Sequence, residues 1–209
     1  MKSRPSSPPR RPATARHAEG LLRVEPAEAR GALSRIGARL PALRGRPIRV
    51  GFRPGLWACR GRLVEPERGV EVHAAAFLRR RRILLEQALL AHPDELARIL
   101  VHELFHFVWV RLGNPARRSW EALLSEEIRQ GVRGELGYSA EGRKRALRPA
   151  DFTRRSRRWR EYACESFCDT AAWRLAGARR HEEFTLARAA ARRRAGWFER
   201  LLGRAPLPV

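Results

Sequence analysis

Lysine is almost missing from this chain. Two of its 44 basic residues, Lys2 and Lys144, are lysines, and arginine supplies the rest. A coding bias accounts for that choice of base. It does not account for the excess over 22 acidic residues, which leaves a net charge of +22. An acidic, solvating protein is excluded, and nucleic acid or another anionic surface enters as a class of partner. Cysteine is scarce and odd in number: Cys59, Cys164 and Cys168 do not make a disulfide framework and fit a reducing compartment. No apolar run approaches the roughly 18 residues of a membrane span. The start, Met1 to Arg16, has charges but no apolar h-region, so no secretory signal is expected. By elimination, the cytoplasm is the expected location. Internal repeats, heptads and the signatures of fingers, helix-turn-helix units or RNA-binding modules are all missing.

What remains is enough for one domain. The chain has 209 residues, 44% of them hydrophobic, which suits a single core and is short for two domains. Residues 1–17 are rich in Pro, Ser and Arg and have no apolar face, so a disordered basic tail is expected there. That tail holds five basic residues and no acid, so the rest of the chain carries +17 and the basicity belongs to the folded part as well. A single domain over 18–203 and a short C-terminal tail over 204–209 complete the expected organisation.

Ala29, Leu33, Ile36 and Leu40 recur at helical spacing and predict a helix within Glu25 to Leu43. Strand-like runs follow at Ile48 to Phe52, Leu56 to Leu63 and Val70 to Phe77, with Arg81 to Leu85 extending the last or adding another. Pro54-Gly55 and Pro66 to Gly69 are their turns, and antiparallel hairpins are expected. From Pro93 the pattern is helical. Pro93, Asp94 and Glu95 suit a helix start, and Gly113 with Asn114-Pro115 stops it. Further helices are expected over Ala116 to Glu135, Ser156 to Ala176 and Glu182 to Leu202. Strands first and helices after predict an α+β fold.

The chemistry sits in the first of these helices. His102-Glu103-Leu104-Phe105-His106 reads His-Glu-x-x-His. Residues i and i+4 share one face of a helix, so both imidazoles can aim a nitrogen at one Zn2+, and Glu103 can act as general base on a water at the metal. Burying these three polar residues in the apolar stretch Ile99 to Val110 is costly unless a partner such as a metal takes them up. A catalytic zinc wants a third protein ligand. Leu112 stands where a metzincin has its third His, and Trp109 where it has a Gly, so that class is excluded. Carboxylates on another helix are the alternative. Glu161, Glu165 and Asp169 are spaced by four on a helix otherwise lined by Ala163, Cys164, Phe167, Cys168, Ala171, Ala172 and Trp173. One of the three is expected to bind the metal.

His102 to His106, followed about 55 residues later by a helical carboxylate, resembles the gluzincin metallopeptidases. More narrowly, Glu161-x-x-Cys164-Glu165-x-Phe167-Cys168 is similar to the Glu-x-x-Ala-Asp/Asn-x-Phe-Ala pattern of the HtpX and CAAX-protease type and of the ImmA repressor-cleaving type. That resemblance implies Glu161 as third ligand. A second register, Glu165-x-x-x-Asp169, resembles the thermolysin-type Glu-x-x-x-Asp and implies Glu165 as ligand with Asp169 orienting His102. Glu161 is preferred, because small-Phe-small follows it at the matching offsets. The likeness covers two helices. It implies a zincin-like fold, with a small antiparallel-rich sheet ahead of the metal-bearing helices and an antiparallel edge strand above the active helix, at Val70 to Phe77 or Arg81 to Leu85.

Lesser candidates surround this set. Cys164 and Cys168 lie close to the carboxylate face, either as small buried side chains or as thiols that tune the metal. His181, Tyr138 and Tyr162 are candidates for stabilising an oxyanion. His73 and His92 have no identifiable partner. The runs Arg79 to Arg82 and Arg154 to Arg158 are solvated faces, or a surface for an anionic partner. Two functions follow: a zinc metallopeptidase acting on a protein or peptide, and a basic nucleic-acid-associated protein whose metal site is structural or degenerate.

Overall fold

The computed structural model describes residues 21–59, 62–64, 68–178, 180–203 and 205–209. The expected basic tail, residues 1–17, lies outside them. The fold is α+β. Strand β1 (Leu22–Glu25) leads through a single 3-10 turn into helix α1 (Arg30–Gly37), which is shorter than its apolar periodicity suggests. Strand β2 (Leu43–Arg44) and the longer β3 (Ile48–Arg53) follow. The run expected as one strand, Leu56 to Leu63, divides into β4 (Trp57–Cys59) and β5 (Arg62–Val64). Val70 to Phe77 likewise divides into β6 (Val70–Glu71) and β7 (Ala74–Phe77). Strand β8 (Arg82–Glu86) closes this half.

The main sheet has the order β1-β3-β8-β7. The expected antiparallel hairpins are present at β4–β5 and β7–β8, but the rest of the main sheet departs from them. β1, β3 and β8 run parallel, and only the edge strand β7 is antiparallel to its neighbour. Helix α1 carries the chain back to start β3 beside β1, and the β4-to-β7 excursion returns it to start β8 beside β3. Parallel neighbours need such crossovers, and a reading of adjacent strands as hairpins passes over them. The second sheet, β5-β4-β6, is antiparallel throughout. Ile48, Val50, Ile83 and Leu85 are buried in the main core, as the alternation along β3 requires.

The helical half contains α2 (Pro93–Arg111), α3 (Asn114–Arg129), α4 (Tyr138–Arg145), α5 (Pro149–Thr153), α6 (Arg157–Leu175) and α7 (Arg188–Leu202). α2 and α6 are the central pair, and they pack against each other along their lengths. Leu96, Leu100, Leu104, Phe105 and Val108 of α2 are buried with Tyr162, Ala163, Phe167, Cys168 and Ala171 of α6. Phe167 stacks on Phe198 of α7 with ring centroids 4.9 Å apart. α6 starts at Ser156, whose Oγ accepts from the Trp159 amide at 3.2 Å. It ends just before Gly177, which takes the left-handed conformation (φ +91°) that favours glycine. The expected tail, 204–209, is also corrected: β9 (Leu207–Pro208) pairs in parallel with β2, and Leu207 and Val209 are buried.

Among the described residues, no helix is long and apolar enough to cross a membrane.

Candidate functional site

Packing α2 on α6 decides which carboxylate meets the two histidines. His102 and His106 project from α2 with ring centroids 4.9 Å apart and planes at 78°, and their Nε2 atoms come within 3.2 Å of each other. From α6, Glu165 Oε2 lies 3.3 Å from His102 Nε2 and 3.9 Å from His106 Nε2. Glu161 does not join them. It is one turn earlier, exposed, and takes a 2.7 Å ion pair from Arg157. The structure thus brings Glu165, and not the preferred Glu161, beside the two histidines. The turn carrying Glu165 faces the histidines, and the turn before it has already reached solvent.

Asp169, one turn beyond Glu165, is buried and uses both oxygens. Oδ1 is 2.7 Å from His102 Nδ1, and Oδ2 accepts the Ala140 amide of α4 at 3.0 Å. With its Nδ1 proton held by Asp169, a neutral His102 turns the lone pair of Nε2 toward His106 and Glu165. Gly137 lets this happen: a Cβ there would run into the Asp169 carboxylate. Arg143 of α4 reaches Glu165 Oε1 at 3.3 Å, so the two oxygens of Glu165 face different partners. The sequence alone singles out neither Ala140 nor Arg143. Their helix has little apolar periodicity to announce it, since Ala140 is its only buried residue.

The charges are strongly coupled. Burial lowers the pKa of His102, but the charge and hydrogen bond of Asp169, joined by Glu165 and Glu103, hold it well above the usual range. For His106, burial and the His102 charge lower the pKa, and the Cys164 contact with the charges of Glu165 and Glu103 raises it overall. Glu165 is driven to about 2: burial opposes its ionisation, but the two histidines and Arg143 outweigh that. Glu103 is half-buried and, among the described residues, has no hydrogen-bond or ion-pair partner for its carboxylate.

The donor geometry suits a tetrahedral ion. Ligands about 2.0–2.1 Å from zinc at tetrahedral angles are separated by about 3.3 Å. The three edges here are 3.2, 3.3 and 3.9 Å. Each donor also has a partner on its far side: Asp169 for His102, Arg143 for Glu165, and the thiols of Cys164 and Cys168 for His106, each Sγ 3.4 Å from Nδ1.

The remaining candidates lie elsewhere. Tyr162 is buried and donates to Glu135 Oε1 at 2.7 Å, inside a network in which fully buried Arg194 binds Glu127 and Glu135. That role removes Tyr162 from the oxyanion candidates. The Tyr138 side chain is exposed. His181 pairs with Glu95 at 3.2 Å, and Arg98 bonds Glu95 and Glu183, so this group is a closed ion-pair network. His73 bonds Glu86 at 2.7 Å, and His92 stands at the N-cap position of α2, where its backbone carbonyl accepts the Leu96 amide and its side chain makes no cap bond. Arg155 and Arg157 are tied to Glu121 and Glu161. Arg79, Arg80 and Arg82 line a cavity of about 1070 Å3 with Arg53 and Arg62. In comparison with known proteins, no family model, no curated protein and no solved structure matches the chain.

Proposed function

We propose that the chain is a zinc-dependent metallopeptidase of zincin-like build, with His102, His106 and Glu165 as the metal ligands and Glu103 as the general base. The observation that carries this reading is the triangle of donor atoms, two of whose edges match a tetrahedral ion while the third, 3.9 Å, is longer, and whose members are each held from behind. A zinc ion there supplies a Lewis acid that polarises a carbonyl and acidifies a water. The protein's residues do the rest. Asp169 keeps His102 in the tautomer that offers Nε2. Glu103, adjacent in sequence to His102 and, among the described residues, without a hydrogen-bond or ion-pair partner, takes the proton of the attacking water and passes it to the leaving amine.

A polypeptide substrate is supported by strand β7. It is the antiparallel edge of the main sheet, and it packs beside α2. Its open edge offers backbone groups to an extended peptide, which would add as a further strand. Glu103→Gln is the test. It should leave about one zinc per chain and the fold intact, while peptide hydrolysis falls by roughly 10²–10⁴-fold. Hydrolysis that survives in this variant contradicts the mechanism.

A second reading has an observation of its own. Among the described residues, the cavity between β4–β5 and the β7–β8 turn is lined by five arginines and by no acid. It suits an anionic partner, nucleic acid included, with the metal site structural or degenerate. DNA binding that weakens steeply with salt and ignores zinc removal would favour it.

A further inference from the structure

We propose that Cys164, Cys168 and His106 Nδ1 form a second metal site, for a soft thiophilic ion, back to back with the first and sharing its histidine. Both Sγ atoms lie 3.4 Å from His106 Nδ1. An ion at about 2.3 Å from sulfur and 2.0 Å from nitrogen, with tetrahedral angles, sets sulfur and nitrogen about 3.5 Å apart. Both sulfur–nitrogen edges therefore already stand at ligand spacing, and all three donor atoms lie within 4.8 Å of one another. The two cysteines are one turn apart on α6. Cys168 is buried in the main core and Cys164 is half-buried against it, so the two thiols sit at the core's edge.

The chemistry favours a divalent d10 ion. Thiolates select soft metals over magnesium or calcium. On binding, each thiol releases its proton to solvent as its S–H bond gives way to a sulfur–metal bond. Two thiolates, one neutral imidazole and a dication sum to zero charge, which the edge of the core accommodates without further counter-ions. No electron transfer is involved.

His106 couples the two sites. A neutral imidazole has one lone pair, so an ion on Nδ1 leaves the proton on Nε2 and withdraws that nitrogen from His102 and Glu165. A thiophilic ion would then unseat the catalytic one. This last consequence rests on the peptidase reading; the thiol site itself does not.

Cadmium is the probe. Metal-free full-length protein, reduced with a phosphine, is titrated with Cd2+ while thiolate-to-cadmium charge-transfer absorption is followed in the ultraviolet. The absorption should appear with about one equivalent in wild type, and persist in His102→Ala and Glu165→Ala, which dismantle only the first site. It should fall to about half in Cys164→Ser and vanish in the Cys164→Ser/Cys168→Ser double variant, with circular dichroism reporting on the fold. Absorption that is absent in wild type, unchanged in the double variant because Cys59 carries it, or lost in Glu165→Ala overturns the proposal. Retained cadmium absorption in a chain that binds no zinc through His102 and Glu165 would defeat the peptidase reading and leave this one standing.

Discussion

His102 shows how one side chain is specified from several elements. Its partner Asp169 is on α6, Asp169 is tied to the Ala140 amide of α4, and Gly137 supplies the clearance. Asp169→Ala should weaken zinc binding by about 10–100-fold in a chelator competition, with little loss of fold. Gly137→Ala should act in the same direction by pushing the carboxylate aside. Unchanged affinity in both would remove Asp169 from the account. The histidines and Glu103 are legible in five consecutive residues. The third donor is not. Glu161, Glu165 and Asp169 lie on one face by spacing alone, and periodicity cannot say which turn of that face meets α2. The small-Phe-small pattern points to Glu161, yet its two small residues, Cys164 and Cys168, face His106.

At the scale of elements, α2 and α6 are plain from their apolar content and stop signals. α4 is invisible in the sequence, since a short polar helix with one buried alanine has no periodicity to read. Its place is set by tertiary contacts, through Asp169 and through Lys144, which pairs with Glu135 at 3.0 Å. Glu135 belongs to the network that ties α3, α6 and α7 together through Arg194. Removing that guanidinium strands two buried carboxylates, so Arg194→Ala should cost about 3–5 kcal/mol in urea unfolding. Burial opposes the ionisation of Glu135, but Arg194, Lys144 and Tyr162 hold its pKa below the usual carboxylate value. A lowered folded-state pKa gives stability that is complete above the unfolded value and lost as pH falls through the folded one. Glu135→Gln should therefore flatten the acid side of the stability–pH curve. A curve as steep as wild type would show that other carboxylates govern it.

For the whole molecule, α+β is readable from the order of strands and helices, while the parallel pairing of β1, β3 and β8 is not. Parallel register depends on crossovers between segments far apart in sequence; β1 alternates over only four residues, and the two-residue β9 is too short to show alternation. The charge of +22 is visible from composition, but its distribution is not. Part of the arginine is internal, as in Arg194, and part lines the cavity beside β4 and β5. Arg79→Ser with Arg80→Ser should weaken any DNA binding and make its salt slope shallower by about one unit for each phosphate no longer neutralised, leaving zinc content unchanged. Binding that is unaltered in this pair would place the anionic surface elsewhere.

The most direct measurement is zinc per chain in Cys164→Ser/Cys168→Ser, where only the His102–His106–Glu165 set can hold the ion, with Glu161→Ala or Glu165→Ala added to it. About one zinc is expected in the double variant and with Glu161→Ala added, and little with Glu165→Ala added. No zinc in the double variant after metal reconstitution, or full occupancy with Glu165→Ala added, would contradict the proposed site.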